Sequence, residues 1–461
     1  MMKKQHIFWL VLYSLMISAS CKKFVDIPVS PQQITTEAIF TNENTAISAV
    51  DGVYTFMRSA SPSFENGALS IFPGLTADEL YNTSSSSTYD PFYQNAIPSI
   101  NTSIAGMFWT TPYNTIYRVN AILEGLSKST GISAPVKRQL AGEMKVVRAL
   151  TYFYLINLYG DVPLITSTDY KTSSAIPRTP VSRVYEQIFA DLEDAREGLT
   201  STYPSTGKVR PNKQSAEALL ARVYLYQQDW ANAEALSSSV INSGQYHLSE
   251  DLNSVFLIGS PETIWEIASP SEQKNTAEGA SFIPVSPTVK PTFSISLSLL
   301  QAFEPGDQRK DNWTKSSKIS GTTYFYPYKY KNRSLTSVTE YEVVLRLSEL
   351  YLIRAEAEAN GAGNGTSGAV TDLNRIRNRA GLLDYAGSID KSSLLTAIYQ
   401  ERRVELFSEW GHRWFDLKRS GQANTVLAPL KPGWQSFDAL YPIPYTQVRT
   451  NPALVQNPGY Q

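Results

Sequence analysis

Apolar residues recur along this chain in separated blocks, most of them with the period of one helix face. Ala46, Ala49, Val50, Val53, Tyr54 and Met57 fall at i, i+3, i+4, i+7, i+8 and i+11, which predicts a first amphipathic helix. Thr111 as N-cap with Pro112 at the first position predicts a second. The stretch LAGEMKVVRALTYFYLINLYGDVPL turns apolar on nearly every face after Lys145, the pattern of a buried helix. Gly160 and then Pro163 mark its end. Thr179 and Pro180 open a further amphipathic helix through Val184, Ile188, Leu192 and Ala195.

From Ser215 to Gly244 the small residues Ala221 and Ala233 and the aromatic Tyr224 keep the spacing of a tetratricopeptide helix hairpin. Val240 stands where a small residue is usual. A tyrosine recurs three positions after Asp51, Ala149, Ala221 and Ser348, giving Tyr54, Tyr152, Tyr224 and Tyr351. The expected fold is therefore all-α, a short superhelix of four tetratricopeptide-like helix pairs. Two long stretches, about 58–110 and 248–340, break the pattern; both are rich in Ser, Thr, Pro, Tyr and Gly. Loops of that length in a compact body are usually functional.

The chain opens with Lys3 and Lys4, an apolar run from Ile7 to Ile17, and the small residues Ser18, Ala19 and Ser20. That is the layout of an export signal. Eleven helical residues rise only about 16 Å, too little for a hydrocarbon core of roughly 30 Å. Cys21, the single cysteine of 461 residues, follows directly and reads as a lipobox cysteine, although Ser18 stands where leucine is usual. Residues 1–20 are thus expected to be removed, Cys21 to be lipidated, and 21–35, with Pro28 and Pro31, to form an extended tether. Residues 36–461 then form the helical-repeat domain.

A net charge of −1 with 18% charged residues offers no basic face for nucleic acid. Three histidines (His6, His247, His412) form no zinc spacing, and no nucleophile elbow or phosphate loop occurs. Glu349, Glu356 and Glu358 could be taken for a glycosidase pair, but Arg346 with Glu349 and Arg354 with Glu358 read as ordinary i,i+3 and i,i+4 ion pairs. Glu401, Arg402, Arg403, Glu405, Glu409 and Arg413 read as a helix-surface or inter-helix ion network. No enzyme, no cofactor and no metal is expected.

The last third carries VVLRLSELYLIRAEAEANG, LNRIRNRAGL, IYQERRVELFSEWGHRWFDLKRSG and YPIPYTQVRTNPALVQNPGY; earlier come RALTYFYLINLYGDVPLI and FVDIP after Cys21. Together these resemble the SusD/RagB family over essentially the whole mature chain. The family's usual EGxR is replaced by Glu409, Trp410, Gly411, His412 and Arg413. The resemblance implies a lipoprotein on the outer face of the outer membrane. It implies a body packed against a SusC-like TonB-dependent barrel, which receives the captured nutrient. It also implies that ligand-binding aromatics come from the two insertions.

Sugar binding needs flat apolar faces and a few fixed polar groups. The first insertion offers Asp78, Tyr81, Asn82, Tyr89, Asp90, Phe92 and Tyr93; the second offers Arg309, Asp311, Trp313, Tyr324, Tyr326 and Tyr328. The expected site brings Tyr89, Phe92 or Tyr93 against Trp313, Tyr324 or Tyr326, with Asp78 and Arg309 nearby. Trp109, Trp230 and Trp265 are assigned to the helical framework, and Trp410 and Trp414 to the core. Glycan capture is the leading function. Capture of a peptide or protein fragment, or a lid that selects little itself, remain the alternatives.

Overall fold

The computed structural model describes residues 36–84, 86–269, 275–333 and 337–461. The leader, Cys21 and the tether lie outside the described residues. Eight helices form the four expected pairs: α1 (Glu43–Met57) with α2 (Thr111–Lys128), α3 (Ala134–Tyr159) with α4 (Val181–Gly198), α5 (Lys213–Tyr226) with α6 (Trp230–Asn242), and α7 (Leu347–Ala359) with α8 (Gly365–Arg379). Successive pairs stack through α2 on α3, α4 on α5 and α6 on α7. Helix α9 (Lys391–Glu405) closes the end against α7 and α8, and α10 (His412–Arg419) follows it.

The local signals explain where helices start and stop. The Asn42 side chain accepts the Thr45 N–H at 3.0 Å and caps α1, and Asn212 and Ser215 form a reciprocal capping box at α5. Gly160 ends α3 with φ at +73°, a conformation glycine adopts without strain. One cap differs from expectation: Thr111 does not cap α2, because a π-turn over Gly106–Thr110 runs straight into it. The Thr111 hydroxyl instead donates back to the Gly106 carbonyl at 3.1 Å.

Ala221 and Ala233 are fully buried where α5 and α6 approach. All four marker tyrosines sit on the first helix of a pair. Tyr54 donates to Glu143 at 2.9 Å and Tyr152 to the Ile165 carbonyl at 2.9 Å, which gives each ring a buried polar end.

Buried ion pairs rivet neighbouring helices together. Arg148 meets Asp191 at 2.6 Å between α3 and α4, Arg222 meets Glu349 at 2.6 Å between α5 and α7, and Arg354 meets Asp372 at 2.6 Å between α7 and α8. The i+3 and i+4 pairing expected within α7 is therefore corrected. Its carboxylates bond outward, since a buried guanidinium needs several acceptors that one helix face cannot supply.

The insertions are less irregular than their composition suggests. Among the described residues, six short strands pair into three antiparallel two-stranded sheets: β1 (Leu80–Asn82) with β3 (Phe293–Ile295), β2 (Thr263–Ile267) with β6 (Glu342–Arg346), and the hairpin β4 (Thr314–Ile319) with β5 (Thr322–Pro327). Trp265 is buried on β2, so it belongs to a strand and not to the helical framework. The first insertion also contains the helix Ala68–Thr76, buried on every face, which is why it shows no apolar period.

Candidate functional site

The two insertions meet on one face, joined by β1 and β3. Leu80 opposes Ile295, Tyr81 opposes Ser294 and Asn82 opposes Phe293. The Thr83 N–H extends the ladder to the Thr292 carbonyl at 2.9 Å, and the Ser296 N–H reaches the Glu79 carbonyl at 2.8 Å. Alternation buries Leu80 and leaves Tyr81 half exposed.

Beyond the strand, Asn82 turns the chain. Its Oδ1 accepts from the Ser84 N–H at 3.0 Å, and its Nδ2 donates to Asp90 at 2.7 Å. That fixes Tyr89, half exposed, with its ring edge-on to Phe293 at 4.7 Å. On the second insertion the tight turn at Ser320 (φ +50°) and Gly321 (φ +86°) folds β5 back on β4 and sets out Tyr324. The Lys290 ammonium lies 5.8 Å from the Tyr324 ring. Tyr81, Tyr89 and Tyr324 thus offer partly exposed rings, with Asn82, Asp90 and Lys290 as polar company.

The structure separates the other expected residues from this face. Asp78 is buried and bound by Arg403 at 2.6 Å and Arg413 at 2.7 Å. Burial alone would raise its pKa, but the bonded Arg413 and the charges of Arg413 and Arg403 carry it below the ordinary carboxylate value. Its task is to anchor the first insertion to α9 and α10. Phe92 is fully buried, 4.6 Å from Phe72 and 5.7 Å from Tyr441. Tyr93 is exposed beside the Lys431 ammonium, 5.4 Å from its ring. Burial pushes Lys431 down to about 7, and it donates to the Thr76 carbonyl at 2.8 Å. Tyr326 is buried on β5.

Arg309 and Trp313 belong to a dry hub, which corrects their expected place in a ligand cleft. Arg309 has no exposed surface and contacts Asp307 at 2.8 Å, Glu401 at 2.6 Å and Glu405 at 2.9 Å. Glu405 also holds Arg346 at 2.6 Å and Arg379 at 2.5 Å. Burial opposes its charge, yet Arg379, Arg346, Arg309 and Lys329 hold its carboxyl well below the ordinary range. The Trp313 indole N–H donates to the Leu252 carbonyl at 2.9 Å, and Lys329, Arg379 and Arg346 lie 4.6, 5.5 and 5.9 Å from its ring. With every face occupied, neither residue can stack on a ligand.

The expected cross-insertion aromatic contact is made by a residue that the sequence reading passed over, Phe293. The alternation Phe293, Ser294, Ile295 was the available signal, but three residues are too few to establish a strand period. Among the described residues, no group of three or more His, Cys, Asp or Glu could hold a metal ion. No helix there is long and apolar enough to cross a membrane.

Comparison with known proteins matches residues 301–460 to the SusD family and residues 46–225 to a family described as starch-binding and associating with the outer membrane. A SusD-like protein P2 of Formosa agariphila is 28% identical over the full length of both chains. A SusD superfamily protein of Bacteroides vulgatus superposes with a TM-score of 0.81 at 21% identity, covering 92% of this chain and 100% of its own. A laminarin-binding SusD-like protein gives a TM-score of 0.77 at 26% identity, covering 91% of this chain and 100% of its own.

Proposed function

The chain belongs to the SusD/RagB family, and from that premise we propose that it is a cell-surface lipoprotein that binds a glycan and delivers it to a SusC-like TonB-dependent barrel. The observation that carries the reading is the β1–β3 pairing. It joins segments more than two hundred residues apart, with Tyr81, Tyr89, Asn82 and Asp90 on the first and, on the second, Tyr324 of β5 with Lys290 5.8 Å from its ring; this supports the reading. Pyranose rings stack on such faces, while amide and carboxylate groups select among hydroxyl patterns, directly or through water. The laminarin-binding relative favours a glycan over a peptide as the cargo.

Calorimetric titration with neutral oligosaccharides tests the reading. The wild type should bind, and the pair Tyr81→Ala with Tyr324→Ala should weaken binding at this face while circular dichroism is unchanged. Unaltered affinity in that double variant moves the site elsewhere. Anchoring is tested separately: Cys21→Ala should release the protein from the membrane fraction and abolish palmitate labelling. A variant that stays bound to the membrane removes the lipoprotein part of the proposal.

A further inference from the structure

A second cleft lies away from the insertion junction, where the end of the first insertion meets the C-terminal helix. Its volume is about 400 Å³, within the range of small-ligand sites. Trp109 and Tyr113 line it, with ring centroids 5.1 Å apart at 43°, and Asn114, Ser173, Ser174 and Gln447 are among its polar residues. No residue lining it is charged. By contrast, the cleft beside Phe40 carries Glu124 and Lys128, and the one beside Tyr399 carries Glu356 and Arg419.

Part of the polar lining is spent within the chain, through Thr110, Thr450 and Asn451, and part of it is not. The Trp109 side chain is 4% exposed, and among the described residues its indole N–H has no hydrogen-bond acceptor. Nor does any hydrogen bond there engage the side chains of Asn114, Ser173, Ser174 or Gln447. The Tyr113 hydroxyl, in contrast, is held by the Pro163 carbonyl at 2.9 Å, so that ring is fixed in place. Tyr170 and Tyr445 begin the short helices that carry Ser173 and Gln447, and both are largely exposed.

From this geometry we infer that the Trp109–Tyr113 cleft is a second binding site, for a neutral oligosaccharide. The inference rests on the glycan reading above and adds a distinct place of attachment. An aromatic wall with free hydroxyl and amide groups and no charge suits a neutral pyranose: its C–H face stacks and its hydroxyls find partners. A charged glycan or a nucleotide would find no countercharge. A peptide would ordinarily add to a strand edge, and no strand lines this cleft. The two sites lie at the ends of a continuous run of ring contacts, Phe293–Tyr89–Phe72–Phe92–Tyr441–Tyr159–Trp109–Tyr113. They share no residue, and the body between them is packed core. A long chain could be held at both.

The test is calorimetric titration of the soluble protein with hexaoses of β-1,3-glucan, α-1,4-glucan and β-1,4-xylan. The wild type should bind one of them at two sites. Ser174→Trp, which fills the cleft from an exposed position, should remove one site and leave circular dichroism unchanged. Tyr81→Ala with Tyr324→Ala should weaken the other. If Ser174→Trp perturbs the fold, Asn114→Ala with Gln447→Ala replaces it and should weaken the cleft five- to thirty-fold. If neither cleft variant changes stoichiometry or affinity while the junction variant does, the inference fails and the glycan reading stands. If the wild type binds none of the three hexaoses, both fall.

Discussion

Trp313 and Tyr324 come from the same insertion, eleven residues apart, and both have cationic company, yet they end in opposite environments. Trp313 is sealed among Lys329, Arg379 and Arg346, while Tyr324 keeps part of its ring in solvent with one lysine 5.8 Å away. The difference is in what the rest of the chain delivers to each. Around Trp313 converge β6, α8 and α9, bringing Arg346, Arg379 and Glu405. Around Tyr324 the partners are local, the β4 strand at Ser317 and the Lys290 ammonium, both from its own insertion. Aromatic and charged residues together are therefore no sign of a binding face until the number of converging elements is known.

The comparison breaks most violently at Glu405. Glu405→Ala strips one carboxylate from Arg309, Arg346 and Arg379 at once, and unpaired buried charge should destabilise the fold by about 3 to 5 kcal/mol. Trp313→Ala should cost a similar amount through its cavity, about 3 to 5 kcal/mol. Urea unfolding measures both, and the glycan affinity of the folded fraction should stay at the wild-type value. A Trp313→Ala protein of normal stability that binds glycan poorly would return Trp313 to the ligand face.

Acid sharpens the same contrast. Burial pushes His412 down to about 4, with Glu349 opposing, so it stays neutral in the fold. An unfolded histidine takes up its proton near pH 6.5. The stability this contributes is complete above pH 6.5 and is lost as pH falls from 6.5 towards 4, roughly 3 kcal/mol in all. His412→Gln should flatten that limb of the stability profile. A second loss follows from Glu349, which burial would raise but Arg222 holds near 2: its contribution is present above pH 4.5 and disappears towards pH 2. Midpoints of urea unfolding between pH 8 and pH 3 give the profile, and an unchanged slope in His412→Gln would contradict the assignment.

The smallest effect belongs to the exposed ring. Tyr324→Ala should cost about 1 to 2 kcal/mol of glycan affinity, a five- to thirty-fold loss, with stability changed by no more than about 0.5 kcal/mol. The two tyrosine and tryptophan variants thus carry opposite signatures.

Much of the body could be read from the chain because repetition amplifies weak signals. Tyr54, Tyr152, Tyr224 and Tyr351 mark all four first helices, and Gly160 ends its helix through local geometry. The helix Ala68–Thr76 escaped because burial on all sides erases period, and β1 and β3 because three residues cannot display one. Ion partners escaped for a different reason. Arg222 and Glu349 are 127 positions apart, and nothing local ties them. At the candidate face, Tyr81, Tyr89 and Tyr324 were chosen by the same composition that chose Phe92, Trp313 and Arg309. Only the fold divides the two groups.

The short β1–β3 ladder has a consequence for how such proteins diversify. Each insertion is tied to the helical frame by interior anchors, Asp78 to Arg403 and Arg413 and Arg309 to Glu401 and Glu405, so only the stretches between those anchors can change length without disturbing the helix pairs. Yet Tyr81 is positioned by Ser294, and Tyr89 by Phe293. Neither half can be exchanged alone without losing its seat. A chimera that transplants one insertion from a relative should fold and yet recognise nothing, whereas one that moves both together should inherit the donor's ligand preference. The heritable module of specificity is then a pair of segments, far apart in the gene and stitched by six residues.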